Sequence, residues 1–222
     1  MNMEEWKACA RKVDLEKLKD VPCYGGLDLA QTKDITAFVA VWVLEGVTYA
    51  YGKYYIPKDR IHERTIKDNA PYQSWMDRGL ITATDGNVTD YDFLKQDIYD
   101  FAEQFNLQDI AFDRWGSTPL VNDLTNEGLN MVSFGQGFGS MNAPMKELDR
   151  LIASKKLAHG GDEPLKWMAS NVVARTDPAG NIKPDKDKAK EKIDGVVALI
   201  MAIGRFMAHD EETQIMPGIE VI

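Results

Sequence analysis

The chain has 222 residues, 44% of them hydrophobic and 27% charged, which is enough for one well-cored domain and excludes general disorder. Its formal net charge of −9, from 26 basic against 35 acidic side chains, argues against a domain that grips DNA unaided through phosphate neutralisation. Carboxylates that hold metal ions add negative charge of their own, so DNA chemistry is not excluded. No apolar run reaches the roughly 18–20 residues that span a bilayer, and the start lacks a secretory pattern. The two cysteines, Cys9 and Cys23, are expected to be free thiols in a cytoplasmic protein.

Residues 1–22 read as a lead-in of one or two helical turns, broken by Pro22 and the pair Gly25-Gly26. Three strand-like runs follow, Cys23 to Leu29, Ile35 to Leu44 and Val47 to Ile56. They are rich in β-branched and aromatic residues, and their short connections predict an antiparallel meander. Beyond Pro57 the pattern predicts a helix from Arg60 to Arg78, an extended piece at Leu80 to Thr84 and an amphipathic helix from Asp92 to Phe105. A buried strand over Asp109 to Asp113 comes next. A helix from Pro119 to Glu127, a strand from Asn130 to Phe134 and a helix from Pro144 to Lys155 complete a β-α-β-α section. Leu165 to Arg175 predicts a helix running into an extended segment. The turn residues Asp177 to Asn181 then close a hairpin, and Ile193 to Met207 predicts a buried helix. The domain is expected to occupy residues 23–208, with 209–222 a loose tail.

Three antiparallel strands, parallel additions and a closing helix make a mixed α/β sheet covered by helices, the order of a ribonuclease H-like fold. Three aspartates fall at element ends within it. Asp28 lies on the first strand, where alternation buries Leu27 and Leu29 on one side and turns Asp28 to the other. A carboxylate on a central strand is costly unless exposed, paired or bound to a cation, and the preceding glycines imply that something approaches the backbone closely. Asp113 ends the Ile110-Ala111-Phe112 run and reads either as a site residue or as a surface strand end. Asp194 opens the last helix, where capping alone accounts for an acidic residue. In such a sheet the first and fourth strands are neighbours and the last helix crosses their ends, so the three carboxylates are expected to converge. Oxygen-only ligands select Mg²⁺ or Mn²⁺, and two such ions about 3.5–4 Å apart suit phosphodiester hydrolysis.

The run from Gly26-Leu27-Asp28-Leu29-Ala30 through Thr32-Lys33-Asp34-Ile35-Thr36 resembles the opening of the nuclease domain of tailed-phage or prophage terminase large subunits. Ala111-Phe112-Asp113-Arg114-Trp115 is similar to that family's second acidic strand, and Lys192-Ile193-Asp194-Gly195-Val196 to its third acidic element. The resemblance extends from about Trp6 to about Phe206. It implies an endonuclease that cuts concatemeric double-stranded viral DNA during packaging in the host cytoplasm. It also implies Asp28, Asp113 and Asp194 as metal ligands, with Asp34 a supporting carboxylate. Asp34 reads equally well as a turn or cap residue. A packaging ATPase motor, a small terminase subunit and a portal are the partners implied.

No Gly-x-x-x-x-Gly-Lys-Ser/Thr phosphate loop occurs, so no motor activity is assigned to these residues. Arg114 and Lys192 are candidate DNA contacts. The alternating run from Lys183 to Lys192 also reads as a solvated, charge-balanced loop. His62, His159 and His209 show no ligand spacing and are expected at the surface. Gly135 to Gly139 reads as a loop between strand and helix or as a phosphate cradle. The rival readings are another ribonuclease H-like nuclease of the junction-resolvase or transposase type, an actin-like kinase or ATPase fold disfavoured by Ala30 and the short chain, and a non-catalytic packaging or docking module.

Overall fold

The computed structural model describes residues 1–29, 35–113 and 118–215. Asp34 and Arg114 lie outside the described residues, as do 216–222.

Helix α1 (Met3–Ala8) is capped by the Asn2 side chain, which accepts from the backbone N–H groups of Glu4 and Glu5. The lead-in is part of the core, because Trp6 and Cys9 are fully buried and Leu18 nearly so. Strands β1 (Cys23–Asp28), β2 (Thr36–Leu44) and β3 (Val47–Pro57) form the expected meander. Glu45 and Gly46 both take positive φ (53° and 73°) in the two-residue β2–β3 turn, matching the strands' twist.

The helix expected over residues 60–78 is instead two, α2 (Ile61–Lys67) and α3 (Tyr72–Asp77). Asn69 at φ 48° and Pro71 interrupt it, since a left-handed residue and a proline both stop helical hydrogen bonding. After β4 (Thr82–Thr84) come α4 (Tyr91–Gln104), β5 (Leu107–Phe112), α5 (Thr118–Asn126) and β6 (Met131–Ser133). Helix α6 (Phe138–Ala153) starts before Pro144, which sits buried within it, so the Phe138-Gly139 end of the glycine-rich stretch is helical rather than loop. Strand β7 (Leu157–Ala158), helix α7 (Glu163–Asn171), the hairpin β8 (Ala174–Thr176) and β9 (Ile182–Pro184), and helix α8 (Asp194–Ile215) complete the chain. Helix α8 thus runs past its expected end at Met207.

The main sheet has the order β4-β3-β2-β1-β5-β6, with β7 also pairing with β3. β5 and β6 add to β1 in parallel, as expected of this mixed α/β sheet. One face packs under α8, α6 and α7, and the other under α4 and α5. β1 is therefore buried on both faces, with Tyr24 in the α8 layer and Cys23 and Leu27 in the α4 layer. Both cysteines are free and buried. His159 is not at the surface: it is 3% exposed, and its ring stacks on Trp6 with centroids 4.7 Å apart. Its Nε2 lies 2.9 Å from the Trp6 carbonyl oxygen, and Nδ1 accepts from the Gly161 N–H, so it locks the lead-in to the sheet edge. No helix among the described residues is long and apolar enough to cross a membrane.

Candidate active site

The ends of β1 and β5 and the start of α8 meet at a cleft of about 550 Å³ lined by Asp28, Asp113, Asp194, Asp68, Gln136 and Lys186. Asp28 is the last residue of β1, and alternation places it on the α8 side with Tyr24 and Gly26. β1 and β5 are in register at Leu27 and Phe112, so Asp28 and Asp113 are each the next residue along adjacent parallel strands. Asp194 begins α8, where the Ile193 carbonyl accepts from the N–H groups of Val196 and Val197. Glycine at position 26 is what lets the helix come this close, since any β-carbon there would run into the Ala198 backbone. The close approach implied by the glycine pair is made by α8 at Gly26, and by the side chains of Phe38 and Ile110 at Gly25. Lys192 lines the same cleft.

Asp28 is 2% exposed, so its carboxylate is not a solvated one. The Lys186 ammonium donates to its two oxygens at 3.0 and 2.8 Å, and Gln136 Nε2 donates to Oδ1 at 3.0 Å. Asp194 is less well served, because its Oδ2 is buried with no hydrogen-bond partner. Burial, then the negative charge of Asp28, push the Asp194 carboxyl up to about 7, against the pull of Lys186 and Lys192. For Lys186, burial lowers the ammonium's pKa. The carboxylates of Asp28, Asp194 and Asp113 outweigh burial and raise it. Five carboxylates (Asp28, Asp68, Asp113, Glu191 and Asp194) against four lysines (Lys67, Lys186, Lys190 and Lys192) leave the cleft wall with an excess of one negative charge, and oxygen is its chief donor atom.

Asp68 is a fourth carboxylate in the cleft wall, 1% exposed at the end of α2. Its Oδ2 is 2.8 Å from Arg64 Nη2 and accepts from the Tyr72 hydroxyl at 3.0 Å, while Oδ1 has no hydrogen-bond partner. Among the described residues, no group of three His, Cys, Asp or Glu side chains is arranged to hold one metal ion directly. The donor set nonetheless fits a hard divalent cation: all-oxygen ligands, an orphaned buried Asp194 oxygen, and a place against Asp28 already taken by a positive charge.

Sequence reasoning singled out the three aspartates but not Asp68, Gln136 or Lys186 as cleft residues. Gln136 had one available signal, since it follows β6, and loops after parallel strands gather at one end of a sheet. Lys186 was read within a charge-balanced loop, and nothing local distinguishes it from Lys183 or Lys188.

Residues 1–210 match the family described as terminase large subunit, endonuclease domain. The chain belongs to this family. It is 32% identical over 231 residues to protein YmfN of Escherichia coli K12, covering 99% of this chain and 51% of that protein. It is 38% identical over 194 residues to the large terminase subunit of Enterobacteria phage HK97, covering 86% of this chain and 38% of the relative. The crystal structure of the HK97 large terminase superposes with a TM-score of 0.85 at 35% identity, over 92% of this chain and 43% of that one. The large terminase nuclease of thermophilic phage G20c with bound magnesium shares the fold at a TM-score of 0.55 and 13% identity, over 83% and 82% of the two chains. The chain spans about half or less of the length of the curated relatives it matches.

Proposed function

We propose that this domain is a divalent-metal-dependent endonuclease that cuts double-stranded viral DNA during genome packaging in the host cytoplasm. The observation that carries the proposal is the convergence of Asp28, Asp113 and Asp194, from three separate elements, on one cleft with excess negative charge. In this reading the three are metal ligands for Mg²⁺ or Mn²⁺, two ions being the number that suits the reaction. When bound, the ions supply Lewis-acid activation of a water and stabilise the leaving oxygen of the phosphodiester. Asp28 fixes the position from the rigid centre of the sheet. Asp194, on a helix tightly packed against β1, fixes the opposite wall. Asp113 closes the side next to β5. Asp34 is assigned a supporting role, and Arg114 and Lys192 contact DNA phosphates. The magnesium and cobalt in the G20c nuclease structures support the choice of divalent ions.

The acidic balance of the chain predicts weak DNA binding by the domain alone. A packaging ATPase motor, a small terminase subunit and a portal would then hold the DNA. The longer HK97 relative supports an arrangement in which this domain is one part of a larger assembly. The test is plasmid nicking at low ionic strength with Mg²⁺, Mn²⁺ or EDTA, beside Asp28→Ala and Asp194→Asn. Metal-dependent cleavage by the wild type and none by either variant is expected. Cleavage that survives EDTA, or both substitutions, overturns the assignment.

A further inference from the structure

Lys186 gives the cleft a cation of its own. Its ammonium reaches both oxygens of Asp28, at 2.8 and 3.0 Å, and with Gln136 it leaves neither oxygen without an N–H donor. A carboxylate offers about four lone-pair sites, and these hydrogen bonds occupy three of them. A divalent ion on Asp28 would sit beside an ammonium 2.8 Å from Oδ2, so the two cations compete for the same carboxylate.

The backbone that carries Lys186 is anchored, whereas its half-exposed side chain is held at its ammonium end, on Asp28. Asp185 is 4% exposed, and its Oδ1 accepts from the N–H groups of Asp187 and Lys188. Its own N–H donates to the Val173 carbonyl, and its carbonyl accepts from Ala189, which ties the turn to the hairpin β8–β9. The Lys186 side chain remains 44% exposed. It also lines a smaller cavity of about 120 Å³, where Arg175, Lys183 and Lys186 outnumber the carboxylates of Asp185 and Asp187 and leave a net positive wall for a phosphate.

We propose that Lys186 is an exchangeable cation. It neutralises Asp28 when no metal is bound and moves to a DNA phosphate when DNA arrives, so that metal and DNA favour one another's binding. The inference rests on Asp28 being a metal ligand. It deepens that reading by linking assembly of the metal site to the presence of substrate, which restrains metal loading away from DNA.

Calorimetric titration of Mn²⁺ into the wild type, Lys186→Met, Lys186→Arg and Asp28→Asn tests it without recourse to activity. Removing the competing charge is expected to tighten Mn²⁺ binding about tenfold in Lys186→Met, with Lys186→Arg near the wild type and Asp28→Asn losing the site. A phosphorothioate duplex, which keeps the backbone charge, is expected to tighten Mn²⁺ binding in the wild type and to do so less in Lys186→Met. Unchanged or weaker Mn²⁺ binding in Lys186→Met, with Asp28→Asn still losing the site, overturns the lysine's role and leaves the metal site intact. Equal coupling to the duplex in both proteins overturns the link to DNA. Absence of Asp28-dependent Mn²⁺ binding in wild type and Lys186→Met alike removes the metal reading and this inference with it.

Discussion

Gly26 and Ala198 fix the distance between the central strand and the last helix: a β-carbon on Gly26 would collide with the Ala198 carbonyl oxygen. The obstacle is backbone on both sides, so no rotamer change relieves it. Replacing glycine by alanine in a strand interior ordinarily stabilises by roughly 0.5–1 kcal/mol. Overpacking a core costs about 1–3 kcal/mol, and here it wins. Gly26→Ala is therefore expected to destabilise by about 1–2 kcal/mol, read from the urea midpoint. Since α8 carries Asp194, cleavage is expected to fall further than the loss of folded protein accounts for. A variant of unchanged stability and activity would show that the helix does not pack as described.

The pair Asp109 and Arg205 ties β5 to α8 from further along the same interface. Arg205 Nε lies 3.1 Å from both Asp109 oxygens and Nη2 lies 2.8 Å from Oδ2, with side-chain exposures of 5% and 18% for the acid and the base. Removing one partner of a largely buried pair takes away the charge that offsets the other's desolvation. Asp109→Ala is expected to cost about 2–4 kcal/mol in denaturant titrations. The exposed Arg78–Glu163 pair, 52% and 44% exposed, is a control of similar geometry, and Glu163→Ala is expected to cost less than about 1 kcal/mol. Equal costs for the two would sink the burial argument.

Strand alternation made β1–β3 and the side of Asp28 legible in the sequence, because period-2 patterning is local. The break between α2 and α3 has a local signal in Asn69 and Pro71, but the apolar spacing from Ile61 to Trp75 continues across it and favours one helix. The burial of His159 has no local signal: the residue that buries it, Trp6, lies 153 positions away. In the cleft, residues on strand ends could be placed from fold order alone. Lys186 and Asp68 lie on connections whose path depends on what the hairpin and α3 pack against, and no spacing encodes that.

Asp162 supplies a pH dependence away from the cleft. It caps α7, accepting from the Leu165 N–H and the Tyr54 hydroxyl, and burial raises its pKa to about 6. The folded value lies above the unfolded one, about 3.9, so the folded chain keeps a proton the unfolded chain has lost. This contribution is fully present below about pH 4 and is lost as pH rises to about 6, with a slope of at most about 1.4 kcal/mol per pH unit. Asp162→Asn, an equally good cap, removes the charge. Its stability relative to wild type is expected to grow from pH 4 to pH 6 and then level off. A flat difference across that range would refute the assignment.

Asp194 concentrates the conflict between stability and function. Its Oδ2 is buried without a hydrogen-bond partner, and Asp28 stands close enough to repel it. An ionised carboxylate so placed costs stability, while a neutral amide of the same shape does not bear that charge. Asp194→Asn is therefore expected to unfold at a higher urea concentration than wild type at pH 8 in EDTA, although it loses metal-dependent cleavage. Saturating Mg²⁺ should narrow the gap, since a ligand at a hundred times its dissociation constant adds about 2.7 kcal/mol to the protein that binds it. The paired measurement separates a ligand from a cap. A residue present only to cap α8 would lose stability as asparagine or keep it, and in neither case would Mg²⁺ distinguish the two proteins.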